Sequence, residues 1–276
     1  INYQATENFA ARAGMLLVPM GIINERHEPT TFMPNQRPET EKRIIPTTWR
    51  EIGAGVELNV GDVNYKLYTI TALNADGFDA AGLRYGRQKG SKAESDDMAG
   101  VLSANWRVNA SLVVGASAYY GPAGQDNIAE NAAGDDVRIP SMPTSIVEAH
   151  AEWNYGPWNT RALYATSWVD DAGDFNAITG RNLAEQLEGY YIEAGYDVFD
   201  LFDMVECGNL SPFFRWEHIN TQFKMPQGYV ADSAEDNEIF TFGLNYKPIS
   251  QVVFKIDYAA WNNEYDRFTI GMGYVF

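Results

Sequence analysis

Three histidines, His27, His150 and His218, are the side chains of this chain whose ordinary pKa lies near neutrality. His150 stands between Glu148 and Glu152 at two-residue spacing, with Ser145 nearby. On an extended backbone that spacing puts three proton-binding groups on one face. Acyl-transfer chemistry would also need a nucleophile held against its base. The chain has no G-x-S-x-G, no H-E-x-x-H and a single cysteine, Cys207. His218 reads as outward-facing and has no serine partner in view. An enzyme is therefore not expected. The acidic runs Asp170–Asp174 and Asp232–Asp236 carry oxygens of the kind Ca²⁺ takes, but without EF-hand spacing. Solvated loops are the expectation there, with no metal and no cofactor.

The larger set of charged residues repeats the same two-residue spacing. Arg12, Glu57, Arg107, Glu148, His150, Glu152, Arg161, Glu193, Asp197, Arg215, Glu217, Lys247, Lys255 and Asp257 read as one inward set, most of them between apolar neighbours. Rows of both signs facing enclosed water would order that water and orient polar solutes, which is how a pore tunes selectivity. In a narrow enclosure the same rows would pair and plug it. Both outcomes stay open at this stage.

A stretch over 20–50 joins Pro29, Pro34, Pro38 and Pro46 to Arg26, His27, Arg37, Lys42, Arg43 and Arg50. Proline restricts the conformers of a loop, which suits a constriction across a mouth. A second basic group, Arg84, Arg87, Lys89 and Lys92, lies in 75–96. In so acidic a chain this clustering suggests contact with anionic solutes or lipopolysaccharide phosphates, with ordinary solvated loop charge as the equal alternative.

Strands must position these groups. In 251–261, Val252, Phe254, Ile256 and Tyr258 oppose Lys255 and Asp257; in 237–247, Phe240, Phe242, Leu244 and Tyr246 oppose Thr241, Gly243, Asn245 and Lys247. The last ten residues alternate Phe268, Ile270, Met272, Tyr274 and Phe276 with small or polar partners. Such alternation describes strands between two solvents. We expect twelve, at 8–19, 51–60, 64–74, 97–108, 111–121, 144–155, 158–169, 187–199, 210–222, 237–247, 251–261 and 267–276. Short, Gly- and Pro-marked gaps then fall on one side and long polar ones on the other, the asymmetry of outer-membrane barrels. A soluble sheet would have to bury one of these faces with nothing left to cover it. A barrel wall gives the apolar face to lipid and removes the edges.

Composition sets the outer limits. No stretch approaches the roughly 18 apolar residues of a membrane-spanning helix. Sixteen Tyr, fourteen Phe and seven Trp fit aromatic girdles at two interfaces. A net charge of −17 argues against nucleic acid, which is bound through basic surface. The chain begins at Ile1 without a signal sequence, as a mature or trimmed product would; strands upstream of Ile1 would join the same barrel.

Arg12-Ala-Gly-Met-Leu-Leu-Val-Pro-Met-Gly21 is similar to the strand-then-Pro-x-Gly pattern early in the phosphate-selective porin O and P family of Gram-negative bacteria. Asn24–Pro29, Arg37-Pro38 and Ile44–Gly53 resemble porin-like proteins near that family. The resemblance implies a water-filled channel for small solutes, with a trimer as one available assembly. That family has about sixteen strands and a lumen rich in Arg and Lys. Neither is read here, so phosphate selectivity is not carried over.

The expectation is an all-β, transmembrane, antiparallel up-and-down β-barrel of about twelve strands, one domain over 1–276, with short periplasmic turns and long extracellular loops. It would sit in the bacterial outer membrane as a porin for passive or loop-gated diffusion of small hydrophilic solutes or ions. The alternative is an occluded barrel with a structural or surface-interaction role. Partners would be outer-membrane lipid and lipopolysaccharide, with a homo-oligomer through the small outward residues Gly100, Ala104, Ala116, Ala118, Ala149, Ala151 and Ala162.

Overall fold

Thirteen strands line up in one sheet, each antiparallel to its neighbour. The structure, a computed structural model, describes residues 1–276 apart from Lys92 and Glu264. Lys92, expected among the basic residues of the second connection, thus lies outside the described residues. The first strands are β1 (Asn2–Thr6), β2 (Phe9–Leu17), β3 (Arg50–Val60), β4 (Val63–Thr71), β5 (Met98–Arg107) and β6 (Leu112–Gly121). A small hairpin, β7 (Ile128–Glu130) with β8 (Asp136–Arg138), stands apart from the sheet. The sheet resumes with β9 (Thr144–Tyr155), β10 (Trp158–Val169) and β11 (Gln186–Tyr196). It finishes with β12 (Asn209–Lys224), β13 (Asp236–Ile249), β14 (Val252–Trp261) and β15 (Arg267–Tyr274).

All twelve expected strands are present, and β1 is an additional one. The sheet therefore has thirteen strands where about twelve were expected, and among the described residues no ladder joins β1 to β15. Residues Val198–Leu201, expected to end a strand over 187–199, form a short helix, α2, because Asp197 accepts the Phe199 amide and caps it.

Turn chemistry separates the two ends of the sheet. At one end β3 meets β4 through Gly61-Asp62, and β9 meets β10 through Gly156-Pro157. Gly61 has φ +58° and Gly156 φ +54°, the positive values that two-residue hairpin loops require. The opposite, loop end carries the long connections 18–49, 72–97, 122–143, 170–185 and 225–235.

The two faces of the sheet differ as the alternation dictates. Ile52, Leu67, Leu102, Ile192, Phe242, Leu244, Ile270 and Met272 are exposed on the outer face. Trp158 and Trp168 mark that face at opposite ends of β10. Ten residues separate them, about 33 Å along a strand, or about 25 Å in height at barrel tilt, the height of an outer-membrane apolar band.

The core lies on the inner face and is built from connections. Val18, Met20, Ile22, Ile23, Ile44, Ile45 and Trp49 of 18–49 are fully or almost fully buried. With Leu73, Phe78 and Leu83 of 72–97 and Phe175 of helix α1 (Ala172–Thr179), they pack on Ile70, Tyr119, Ile146, Leu163 and Ile219 of the wall. Each such side chain contributes about 1.5–3 kcal/mol by leaving water. Asn24 ties the root of this connection together. Its Nδ2 donates to the Val18 and Trp49 carbonyls at 2.7 and 2.9 Å, and its Oδ1 accepts the Trp49 amide at 2.7 Å.

Candidate functional site

Strand register gathers the inner charges into rows. Glu152 of β9, Arg161 of β10, Glu193 of β11 and Arg215 of β12 are successive cross-strand partners. Glu193 lies 3.3 Å from Arg161 Nε and 3.6 Å from Arg215 Nη1, and Arg215 Nε lies 3.7 Å from Glu217. These side chains are almost wholly buried, so each charge is compensated by a neighbour rather than by bulk water.

A second group crosses β5, β6 and β9. Ser117 Oγ donates to Glu148 Oε1 at 2.5 Å, and His150 Nδ1 lies 2.8 Å from Glu148 Oε2. His150 Nε2 lies 3.0 Å from Asn105 Oδ1. The space for that contact is left by Gly115, where a Cβ would come within 2.4 Å of both partners. Both Ser117 and His150 lean on the carboxylate, not on each other, so no nucleophile–base pair exists here. Among the described residues no cluster of three His, Cys, Asp or Glu could hold a metal ion.

Segment 18–49 crosses in front of this wall, and its grips can be followed residue by residue. Lys66 of β4 holds Glu25 at 2.6 Å, and Glu152 pairs with Arg26. Arg161 donates to the Thr31 carbonyl at 3.0 Å. Lys255 of β14 donates to the Phe32 and Pro34 carbonyls at 2.6 and 2.9 Å, and Asn245 of β13 to that of Met33 at 2.9 Å. Asp257 accepts the Asn35 amide at 2.7 Å and its side-chain Nδ2 at 2.6 Å. Arg215 donates to the Gln36 carbonyl at 3.2 Å, and Glu217 accepts the Thr40 amide at 2.6 Å. The chain therefore passes from β4 across to β14 and returns toward β11, spanning the enclosed side of the sheet.

Electrostatics within the segment follow from burial. Glu41 is buried, and its carboxyl is pushed up to about 7, against the opposing pull of Tyr191 and the Ile23 amide. Burial also works against the charge of Glu39, but Lys42 at 2.9 Å and Arg43 at 3.1 Å outweigh it and hold that carboxyl below its ordinary value. Arg43 reaches Glu235 as well, at 3.2 Å. Arg84 and Arg87, expected to meet external anions, instead grip this segment. Arg84 Nη1 donates to the Lys42 carbonyl at 3.3 Å, and Arg87 Nη1 to that of Thr47 at 2.6 Å. Burial and the proximity of Arg84 bring Arg87 down to about 10.

The remaining expected residues are more scattered. Arg12 pairs with Glu57 at 3.0 Å, and Glu57 also accepts from Tyr68 at 2.5 Å. His27 Nδ1 lies 3.0 Å from the Asn24 carbonyl, and Arg37 donates to the His27 carbonyl at 3.4 Å. Arg107, exposed at the turn end of β5, shares the inner parity of Ser103 and lies in the register row of Glu152, across Val113 of β6. Two expectations need correction. Asp197 is a helix cap rather than a strand residue. Arg50 is the exposed first residue of β3, not part of the crossing segment. His218 stacks on Tyr190 and lies 2.9 Å from Asp236 on the outer face. Sequence reasoning passed over Asn24, Asn35, Glu41 and Tyr191. Strand parity would have placed Tyr191 inward beside Glu193, but nothing in the pattern pairs it with Glu41.

Between the tip of the segment and the turn end of the wall lies a cavity of about 570 Å³, bordered by Phe32, Met33, Arg161, Asn245 and Lys247. Above it a gap of about 10 Å³, the size of one water, is enclosed by Gln36, Arg215, Glu217, Thr241, Asp257 and Arg267.

No protein-family model matches the chain. A protein of Aquifex aeolicus described as uncharacterized is 30% identical over 271 residues. The match takes in 94% of this chain and 59% of that protein, so the chain spans little more than half the relative's length. Solved structures resemble it more widely. A loop-deletion mutant of OmpT, an outer membrane protein of Vibrio cholerae, aligns with TM-score 0.62 and 12% identity, over 98% of this chain and 76% of that one. Pseudomonas putida OprB aligns with TM-score 0.58 and 10% identity, over 98% and 69%. The anion-selective porin of Comamonas acidovorans gives 0.51 and 10%, over 95% and 69%. At these identities the likeness is one of fold, and the fold is that of bacterial outer-membrane porin barrels.

Proposed function

We propose that this chain is an outer-membrane porin, a diffusion channel for small hydrophilic solutes or ions, narrowed by segment 18–49 and opened when the tip of that segment moves. The observation that carries this reading is the difference between the root and the tip. The root, 18–23 and 44–49, is anchored by buried apolar side chains. The tip, 31–37, buries only Phe32, Met33 and Pro34 as apolar groups and is otherwise held by hydrogen bonds from Arg161, Arg215, Asn245 and Lys255 to its carbonyls. A hydrogen bond from a charged donor contributes about 1.5–3 kcal/mol, and these bonds can be exchanged for water, whereas the root would have to wet its whole set of buried apolar side chains at about 1.5–3 kcal/mol each. The similarity of Arg12–Gly21 and Ile44–Gly53 to the phosphate-selective porin O and P family supports a channel, and the paired charges of the wall give no support for phosphate selectivity.

In this reading the outer face meets outer-membrane lipid and lipopolysaccharide. Ala104, Ala116 and Ala149 lie in register on that face, and small residues let membrane proteins pack closely, which supports assembly with further copies of the chain.

The loop-end core favours a second reading, an occluded barrel with a structural or surface role. Planar-bilayer recording separates the two. The channel reading expects discrete conductance steps, enlarged in Lys255→Met, which frees the Phe32 and Pro34 carbonyls. A folded protein that stays silent both as wild type and as Lys255→Met supports the occluded barrel.

A further inference from the structure

The cavity of about 570 Å³ at the turn end falls within the size range of small-molecule sites, and its charge is unevenly satisfied. Arg161 is committed to Glu193 and to the Thr31 carbonyl. Asp197 also borders the cavity, but its oxygens are taken up by the Phe199 and Leu210 amides and by Asn209 Nδ2. Asp200 lies at the exposed rim. Lys247 is the exception. It shares the inner face of β13 with Asn245, is half-buried, and among the described residues its ammonium has no carboxylate or carbonyl partner. One ammonium is thus left without a direct partner in a recess that also offers the neutral polar groups of Asn245 and Ser211, with the Asp197 and Asp200 carboxylates at its border. Ser211 Oγ and Asn245 Oδ1 retain lone pairs that can accept from ligand hydroxyls.

We propose that this cavity is a binding subsite for a small hydroxylated organic monoanion. The anion's carboxylate would face Lys247, and its hydroxyls would face Asn245 and Ser211. A single unpartnered ammonium selects a monoanion over a dianion, because a second negative charge would meet no free cation and would face the Asp197 and Asp200 carboxylates. A charge-assisted hydrogen bond to an ammonium is about twice as strong as a neutral one, so the carboxylate supplies most of the affinity and the hydroxyls supply selection. The proposal deepens the channel reading by naming a solute class, and it rests on that reading only for its biological use.

Equilibrium binding to the detergent-folded protein tests it without requiring conduction. Calorimetric titration with sodium gluconate is expected to saturate. Glucose, matched in hydroxyls but neutral, and acetate, matched in charge but without hydroxyls, are each expected to bind at least about tenfold more weakly. Lys247→Gln is expected to weaken gluconate binding at least about tenfold while keeping heat-modifiable migration on gels. Lys224→Gln, at an exposed pair with Glu185, is expected to leave binding unchanged. Absence of saturable gluconate binding, equal binding of glucose or acetate, or equal loss in the two lysine variants would each overturn the proposal. A silent bilayer with intact gluconate binding removes the channel reading and leaves the subsite standing.

Discussion

Tyr191 and Glu41 stand 150 residues apart in the chain and 2.6 Å apart in the fold, the phenol donating to the carboxyl. The contact joins the middle of β11 to the one-turn π-helix Thr40–Ile44 of the crossing segment. Both side chains are fully or almost fully buried. Glu41 is consequently a titrating group placed where the segment docks.

Docking should therefore weaken as pH rises. Free in water, the Glu41 carboxyl titrates near 4.5; docked, it titrates near 7. The docked state holds its proton more tightly, so its advantage is complete below about 4.5, declines between there and about 7, and stays flat above. At 1.36 kcal/mol per pH unit the decline is about 3 kcal/mol. Amide hydrogen exchange across 18–49, corrected for intrinsic chemistry, should show protection falling over that window in wild type. Glu41→Gln, which cannot ionise, should flatten the dependence. A dependence that persists in Glu41→Gln would mean that Glu41 is not its source.

The tip of the segment should respond to a single methyl group. A Cβ at Gly271 of β15 would come within 2.0 Å of Asn35 Oδ1. Gly271→Ala should push Asn35 from Asp257 and destabilise tip docking by roughly 1–3 kcal/mol, the range for losing buried hydrogen bonds. Chymotryptic cleavage after Phe32, buried while the tip is docked, should accelerate. Adding Asn35→Ala removes the clash and should slow cleavage again, giving a coupling a double-mutant cycle can read. Additive effects would mean that the two residues do not meet.

The outer face should reject charge if hydrocarbon covers it. Ile192 is exposed and lies between Ala162 and Trp216 in register. Ile192→Arg should destabilise the protein folded into phosphatidylcholine vesicles by about 2–4 kcal/mol, measured by denaturant unfolding. On a water-facing surface the same change stays within about 0.5 kcal/mol. An unchanged midpoint would rule out a lipid-facing position for this residue.

The wall of this fold was legible in the sequence because each strand must satisfy two environments at once, and alternation records that. Parity alone placed Glu148, Arg161, Glu193, Arg215, Glu217, Lys255 and Asp257 on the inner face. It could not say what they hold: Arg161, Arg215 and Lys255 reach carbonyls of residues 31–36, Asp257 and Glu217 accept the Asn35 and Thr40 amides, and backbone groups carry no sequence signature. β1 escaped because Asn2, Gln4 and Thr6 are as polar as a loop. The core inside the connections escaped for a related reason: Ile22-Ile23 and Ile44-Ile45 are short apolar islands in a proline-rich stretch, without a period to reveal what covers them. Asp197 misled because the alternation continues through it, although its own carboxylate turns the chain into a helix.

The direction of the outermost strands has a consequence for sealing the wall. Thirteen strands in strict reversal leave β1 and β15 pointing the same way, toward the turn end. Zipped to each other, they would make one parallel seam in an otherwise antiparallel ring. A fully antiparallel seal takes an odd number of added strands between them. Unmatched amides and carbonyls are penalised by several kcal/mol apiece in hydrocarbon, so whatever meets these two strands has to match their backbone groups one for one.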